Sequence, residues 1–201
     1  MKNMKKLLKI RFIIPAILIA VVVVMIPVIV ISNRGGGESV DKETVIVDAL
    51  RPALSFEGVC RDATTIVYGK VVGVGETKVH ESTGSAGSIL KEYYKEITIE
   101  VIDLIKGAAK DNKVTYLQMG GETDTHIYIY EEYPPVSISD EVILFLSDRG
   151  VCLGPQACIY VKDGMVSLDH KVIPETYDAV KKATTAEELV EEISVQVKNE
   201  R

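Results

Sequence analysis

The sequence predicts a mainly β (α+β) protein: a small antiparallel barrel with C-terminal helices, preceded by one transmembrane helix. Three observations carry this expectation. A charge-free run from Phe12 to Ile31 follows a basic start. From Thr65 to Leu168, β-branched segments alternate with glycine-containing turns. Beyond Pro174 the apolar spacing turns helical.

Lys2, Lys5, Lys6, Lys9 and Arg11 precede the apolar run, and Asn33-Arg34 closes it. Twenty residues of helix rise about 30 Å, the thickness of a hydrocarbon core. A charge at its centre would cost about 3 kcal/mol, so its absence reads as a bilayer span. A cleavable signal has a shorter apolar region, about 7–15 residues, and then a small-residue motif. Val30-Ile31-Ser32 offers no such motif, and no cysteine stands nearby to take a lipid. An uncleaved anchor through residues 12–31 is therefore expected, with cleaved secretion as the alternative. Pro15 and Pro27 are tolerated in a membrane helix. Basic residues stay on the cytoplasmic side. The expected placement is a single-pass cell-membrane protein with a cytoplasmic N-terminus and an extracellular domain. The chain then divides into a basic stub and span (1–32), a tether and N-terminal segment (33–61), a barrel (62–172) and C-terminal helices (173–201).

The whole chain carries 23 Lys+Arg against 29 Asp+Glu, and the first 32 residues hold five of the bases and none of the acids. The exported part thus has 18 bases against 29 acids, or −11. Such a domain is repelled by nucleic acid and by anionic lipid, so neither is expected as its partner. Three cysteines are too few for a disulfide scaffold. Cys152 and Cys158 flank a Gly154-Pro155 turn and are a disulfide candidate; the alternative is two separate reduced thiols in the core. Cys60 is expected to be buried and inert.

Asn33 to Ser39 reads as a flexible tether, and residues 40–54 form a mixed apolar stretch that fits neither period. Ser55 can cap a short helix reaching Arg61. Thr65–Val74 is a strand in which Gly69, Gly73 and Gly75 permit sharp bending. Residues 76–92 are rich in Ser, Gly and charge and read as a mobile hairpin connection. Tyr93–Ile105 alternates cleanly until Ile102 and Leu104 break the phase, which predicts a bulge. Val114–Met119 is the next strand, and Gly120-Gly121 breaks it before the strand His126–Tyr130. Val142–Leu146 is a continuous apolar run, expected for a central strand covered on both faces. Ala157–Val161 and Met165–Leu168 flank Asp163-Gly164, a strong hairpin signal. Pro174 opens a helix reaching about Ala183. Thr185-x-x-Glu188 is a capping box ahead of Leu189, Ile193 and Val197, an apolar stripe expected to lie on the barrel.

In this order, Ile66–Val72 (IVYGKVV), Ile97–Val101 (ITIEV) closing on Leu104-Ile105-Lys106-Gly107, Gly120-Gly121-Glu122 and Asp140–Leu146 (DEVILFL) resemble a recurrent exported bacterial module. The resemblance covers roughly residues 62–168 and implies a small OB-type β-barrel, often tethered by an N-terminal segment. It implies no catalytic residues. The barrel is also similar to netrin-like metalloprotease inhibitors. Those present an N-terminal cysteine to zinc, where this chain has its basic stub and anchor.

Catalytic patterns are missing. His80, His126 and His170 are far apart, with no paired metal-ligand spacing, so no metal or cofactor is expected. Gly84-Ser85-Ala86-Gly87 is not a nucleophile elbow. Gly73 to Lys78 lacks phosphate-loop spacing. The alternation of residues 126–130 puts His126, Tyr128 and Tyr130 on one face, with Tyr133 close by. If Ile127 and Ile129 point inward, this face is an exposed aromatic surface suited to a peptide or a glycan. The alternative is that the rings pack beneath the C-terminal helices. The leading expectation is a non-enzymatic, membrane-tethered extracellular binding module whose partner is an envelope protein, peptide or glycan. A carboxylate- or metal-dependent hydrolase using His126 is one alternative. A structural subunit docking through an exposed Leu189/Ile193/Val197 stripe is another.

Overall fold

In a computed structural model the described residues are 42–47, 54–83, 87–130, 133, 135–167, 180 and 182–199. They belong to one compact unit, Lys42–Arg201. The expected span at 12–31, the tether and most of the helix expected after Pro174 lie outside the described residues. Among the described residues no helix is long and apolar enough to cross a membrane.

Among the described residues nine strands form two sheets. The larger has the order β4-β3-β2-β7-β8-β9 and the smaller β1-β6-β5. The strands are β1 Glu43–Val47, β2 Thr65–Thr83, β3 Ile89–Lys106, β4 Lys113–Met119, β5 Gly121–Glu122, β6 His126–Tyr130, β7 Glu141–Leu146, β8 Cys158–Lys162 and β9 Met165–Ser167. The helices are α1 Phe56–Asp62 and α2 Ala186–Asn199. The fold is thus mainly β with a C-terminal helix, as expected. Among the described residues neither sheet closes on itself.

The β2–β3 ribbon is the spine. Its pairing slips between Ile66 and Val67, Tyr68 and Gly69, Val71 and Gly73, and Val74 and Thr77. Opposite Tyr68–Gly69 the extra residue is Ile102, the position where the sequence loses its alternation. The ladder then continues to Thr83↔Ile89. Residues 76–92 are therefore mostly strand, a correction to the expected mobile connection. Their charges occur as cross-strand pairs, Lys78–Glu96 at 2.7 Å and Lys91–Glu81 at 2.9 Å, so polarity here marks a solvated ribbon and not a loop.

β7 is the central strand. Val142 to Leu146 are all buried, between β2 on one edge and β8 on the other. Phe56 of α1 meets Phe145 edge to face at 6.4 Å. The Asp163-Gly164 turn joins β8 to β9 with φ of 53° and 75°, the left-handed geometry that this dipeptide favours. Ser55 caps α1, its Oγ accepting from Gly58 N at 3.0 Å. α2 packs against α1, β3 and β9. Leu189, Ile193 and Val197 are buried in the core, so the stripe leaves no exposed apolar face for docking.

The capping box forms as the sequence predicts. Thr185 Oγ1 accepts from Glu188 N at 3.2 Å, and Glu188 Oε2 accepts from Thr184 N, Thr184 Oγ1 and Thr185 N. These donors hold the Glu188 carboxyl below its ordinary range, the Thr184 hydroxyl being the largest cause. A carboxylate with a depressed folded pKa stabilises above its unfolded pKa and loses that contribution as pH falls through the folded value. Glu188→Gln keeps the cap but not the charge. It should melt earlier than the parent at neutral pH, and the gap should close as pH falls from the ordinary Glu range of about 4.3 through the lower folded value, below which Glu188 is protonated in both states. Melting curves across pH 2–7 check this.

Candidate functional site

Sheet order alone does not bring the small sheet against the spine; two glycines do. Gly120 N donates to Tyr93 O at 2.8 Å, and a side chain at Gly120 would meet Tyr128 O at 2.7 Å. A side chain at Gly121 would meet Thr77 Oγ1 at 2.5 Å, and its φ of +147° suits glycine. With both side chains absent, Thr77 Oγ1 accepts from Glu122 N at 2.8 Å, and β5 lies against β2. β1 then completes the sheet parallel to β6, and Lys42 Nζ meets Glu122 Oε1 at 2.7 Å. That ammonium lowers the pKa of Glu122.

Tyr128 stacks on Tyr93 of β3, ring centroids 3.8 Å apart and 12° from parallel, and His126 tilts against Tyr128 at 5.8 Å. The neighbouring Tyr93 hydroxyl raises the pKa of Tyr128. Beside the stack opens a cleft of about 260 Å³, lined among others by Tyr128, Tyr130, Tyr133, Gln118, Lys95 and Glu122. Tyr133 is buried and forms part of its floor; Tyr130 is half-buried against the core, and burial raises its pKa. Gln118 is only 7% exposed. Its Oε1 accepts from Val136 N at 3.3 Å, and the residue lines the cleft.

Three of the four residues singled out in the sequence therefore line one cleft, and the fourth, His126, stands outside it. His126 Nε2 lies 3.5 Å from Glu43 Oε2, and its Nδ1 lies 2.7 Å from Thr125 Oγ1, all on the exposed rim. The sequence leaves the orientation of β6 open. Ile127 and Ile129 do not point into the core; Ile129 is 43% exposed. The tyrosine face turns inward, against β3 and not beneath the helices. Aromatic rings bury more area than isoleucine, so a small sheet gains more by turning them inward.

Compared with protein-family models, with curated proteins and with solved structures, the chain matches none of them.

Sequence reasoning missed Tyr93, Gln118, Lys95 and the Lys42–Glu122 bridge. Gln118 did leave a signal: Val114, Tyr116 and Gln118 occupy alternate positions on the buried face of β4, where an amide is out of place. A larger cavity, about 530 Å³, lies at the Asp163-Gly164 turn beside Asp140, Glu141, Tyr160 and Lys162. Two of its three acids have partners of their own. Asp140 accepts from Ser137 N at 2.7 Å, and Glu141 accepts from the Tyr68 hydroxyl at 2.8 Å. Burial and that bond push Tyr68 up to about 12. The smaller cleft sets a few polar groups among aromatic walls, as a binding site does. Among the described residues no group of three His, Cys, Asp or Glu can hold a metal. Cys60, Cys152 and Cys158 are buried thiols, none of them in a disulfide, so the candidate Cys152–Cys158 bridge is absent. Cys152 and Cys158 face Leu146 and Leu144 on β7, two positions apart. Burial pushes the Cys152 thiol well up, and its neighbour Cys158 adds to the shift.

Because the cleft depends on the backbone approach at Gly121, Gly121→Ala should destabilise the domain by about 1–3 kcal/mol. That corresponds to a melting point lower by about 3–10 °C. Gly164→Ala, at φ +75° with open space around it, should fall less. Equal effects in thermal denaturation would refute the close-approach argument.

Proposed function

We propose that this chain is a membrane-tethered extracellular binding module without catalytic activity, and that the aromatic cleft takes its ligand. One observation carries the reading: Tyr128, Tyr130, Tyr133 and the buried Gln118 line one cavity of about 260 Å³. Tyrosine walls contribute large contact area at small entropic cost, and an amide beside an ammonium and a carboxylate supplies directional polar contacts. A short stretch of envelope peptide or glycan suits such a cleft; nucleic acid does not suit a domain of this charge. The charge-free run at 12–31 and its basic flank support the anchor and the cytoplasmic N-terminus. The OB-type kinship belongs to the same proposal, supported by the bulged and bent β2–β3 ribbon.

With nine Tyr and no Trp, intrinsic tyrosine fluorescence reports on the cleft directly. Titration with a β-linked oligosaccharide and with an extended uncharged peptide should perturb it for one of the two. Tyr130→Ala and Gln118→Leu should each weaken that binding about tenfold, the effect of losing ~1.4 kcal/mol. No response to either probe, or undiminished binding in both variants, would exclude the cleft. The topology has its own check. Protease added to intact cells should remove the domain and spare an N-terminal fragment that stays with the membrane. A full-length, soluble and protected chain would exclude the anchor.

A further inference from the structure

One face of β3 carries Tyr93, Lys95, Ile97 and Ile99 at alternate positions, and both isoleucines are fully buried. Lys95 is the charged member of this row. In the ladder it stands between Thr77 of β2 and Gln118 of β4, and residues directly opposed share a face. Thr77 Oγ1 accepts from β5, and Gln118 is buried and bonded to Val136 N, so this face is the one that the small sheet approaches. Lys95 is half-buried there and lines the aromatic cleft. A charge withdrawn from water is costly unless it is paired. Yet among the described residues Lys95 has no ion pair and no hydrogen bond through its ammonium.

The acid beside it is already taken. Lys42 Nζ holds the Glu122 carboxylate at 2.7 Å and is the main cause of its lowered pKa, to which Lys95 adds from beyond bonding distance. Of the other described acids near the tyrosines, Glu43 lies 3.5 Å from His126 Nε2 and Glu92 3.8 Å from Arg149 Nη2. Lys42 and Lys95 against Glu122 leave one positive charge at the cleft, in a domain whose acids outnumber its bases 29 to 18 beyond residue 32.

On the footing that the cleft binds the ligand, as proposed above, we propose that it takes the C-terminal residue of a peptide. The terminal carboxylate sits on the Lys95 ammonium, and an apolar side chain lies between Met119, Tyr128, Tyr130 and Pro135. Ammonium and carboxylate make a charge-assisted bond, strongest where water is partly excluded. Capture of a terminal carboxylate is an established mode of peptide recognition. Size favours a chain end: about 260 Å³ falls below the ~300–1,000 Å³ that a drug-sized ligand fills, so the cleft holds one residue and not a run of sugar rings. An acidic side chain within a peptide would supply the same charge but would lead the chain through on both sides. A sugar would set hydroxyls against Met119 and Pro135, where they find no partner. Tyr93 also covers one face of the Tyr128 ring, which leaves a single face for stacking.

The test titrates the full chain in detergent, followed by tyrosine fluorescence. The probes are an N-acetylated tripeptide ending in leucine, as free acid and as C-terminal amide, and a β-linked disaccharide containing a uronic acid. The acid should bind at least tenfold tighter than the amide. Lys95→Met, which keeps the apolar stem, should bring the acid down to the affinity of the amide, and Lys95→Arg should retain the preference. Lys113→Met, exposed at the start of β4, should alter neither. Circular dichroism and a cooperative melt establish that each variant is folded, and the comparison of acid with amide in the parent needs no variant. Equal binding of acid and amide, or a preference that survives in folded Lys95→Met, overturns the proposal and leaves the cleft as a ligand site. Binding of the uronic acid through Lys95 when neither peptide binds also overturns it, the anion then being a glycan's. Silence with all three probes overturns it together with the binding role of the cleft.

Discussion

A two-stranded ribbon as long as β2–β3 cannot stay flat and still bury both ends of its apolar face, so it bends, and the bends govern what can dock where. Each slip in register inserts residues on one strand and tightens the local twist. Gly69 sits inside one such slip, where a side chain would lie 2.5 Å from Glu100 O. The inner part of the ribbon, Thr65–Lys70, pairs with β7 and belongs to the core. The outer part turns away and offers Thr77 and Tyr93 to the small sheet. Core and cleft are therefore built on the two ends of one bent element.

Much of this was legible because it is local. Ser55, the Thr185/Glu188 box and Asp163-Gly164 each act within a few residues, and each formed as its chemistry requires. Val142–Leu146 needed only its unbroken apolarity to be placed centrally. β1 was not legible, because a parallel partnership with β6, some eighty residues on, leaves no periodic trace in ETVIV. The face of β6 was left open for a different reason. Alternation establishes which residues share a face but is silent on which face turns inward. Tyr93 was lost because it borders a segment whose charges imitate a loop, and Gln118 because one amide among strand residues has no motif.

The core tolerates polar groups where aromatic burial outweighs them. Tyr116 is fully buried beside Cys152, its hydroxyl without a full hydrogen-bond partner among the described residues, and burial raises its pKa well above the ordinary value. An unmet hydroxyl costs about 1–3 kcal/mol. The ring removes about 150–250 Å² from water, roughly 4–6 kcal/mol at 25 cal/mol per Å². The ring prevails, and Tyr116 holds its place between β3 and the Cys152–Cys158 loop. Gln156 lacks that compensation, since both polar atoms of its buried amide are without partners among the described residues. The 3-10 turn Pro155–Ala157 is thus anchored by neighbouring Ala157 and Cys158 and not by its own polar side chain.

Stability is unevenly distributed as a result. The large sheet has β7, α1 and α2 around one apolar core. The small sheet is held by a few identifiable contacts: Gly120 to Tyr93, Thr77 to Glu122, Lys42 to Glu122, and one stacked tyrosine pair. Its outer face is open to water. Elements with few buried contacts open at lower free energy than the core they rest on. A ligand seated between β4, β5 and β6 would touch both sheets and resist that opening, so binding and local order reinforce each other. The cleft sits where the fold has the most to gain from an occupant.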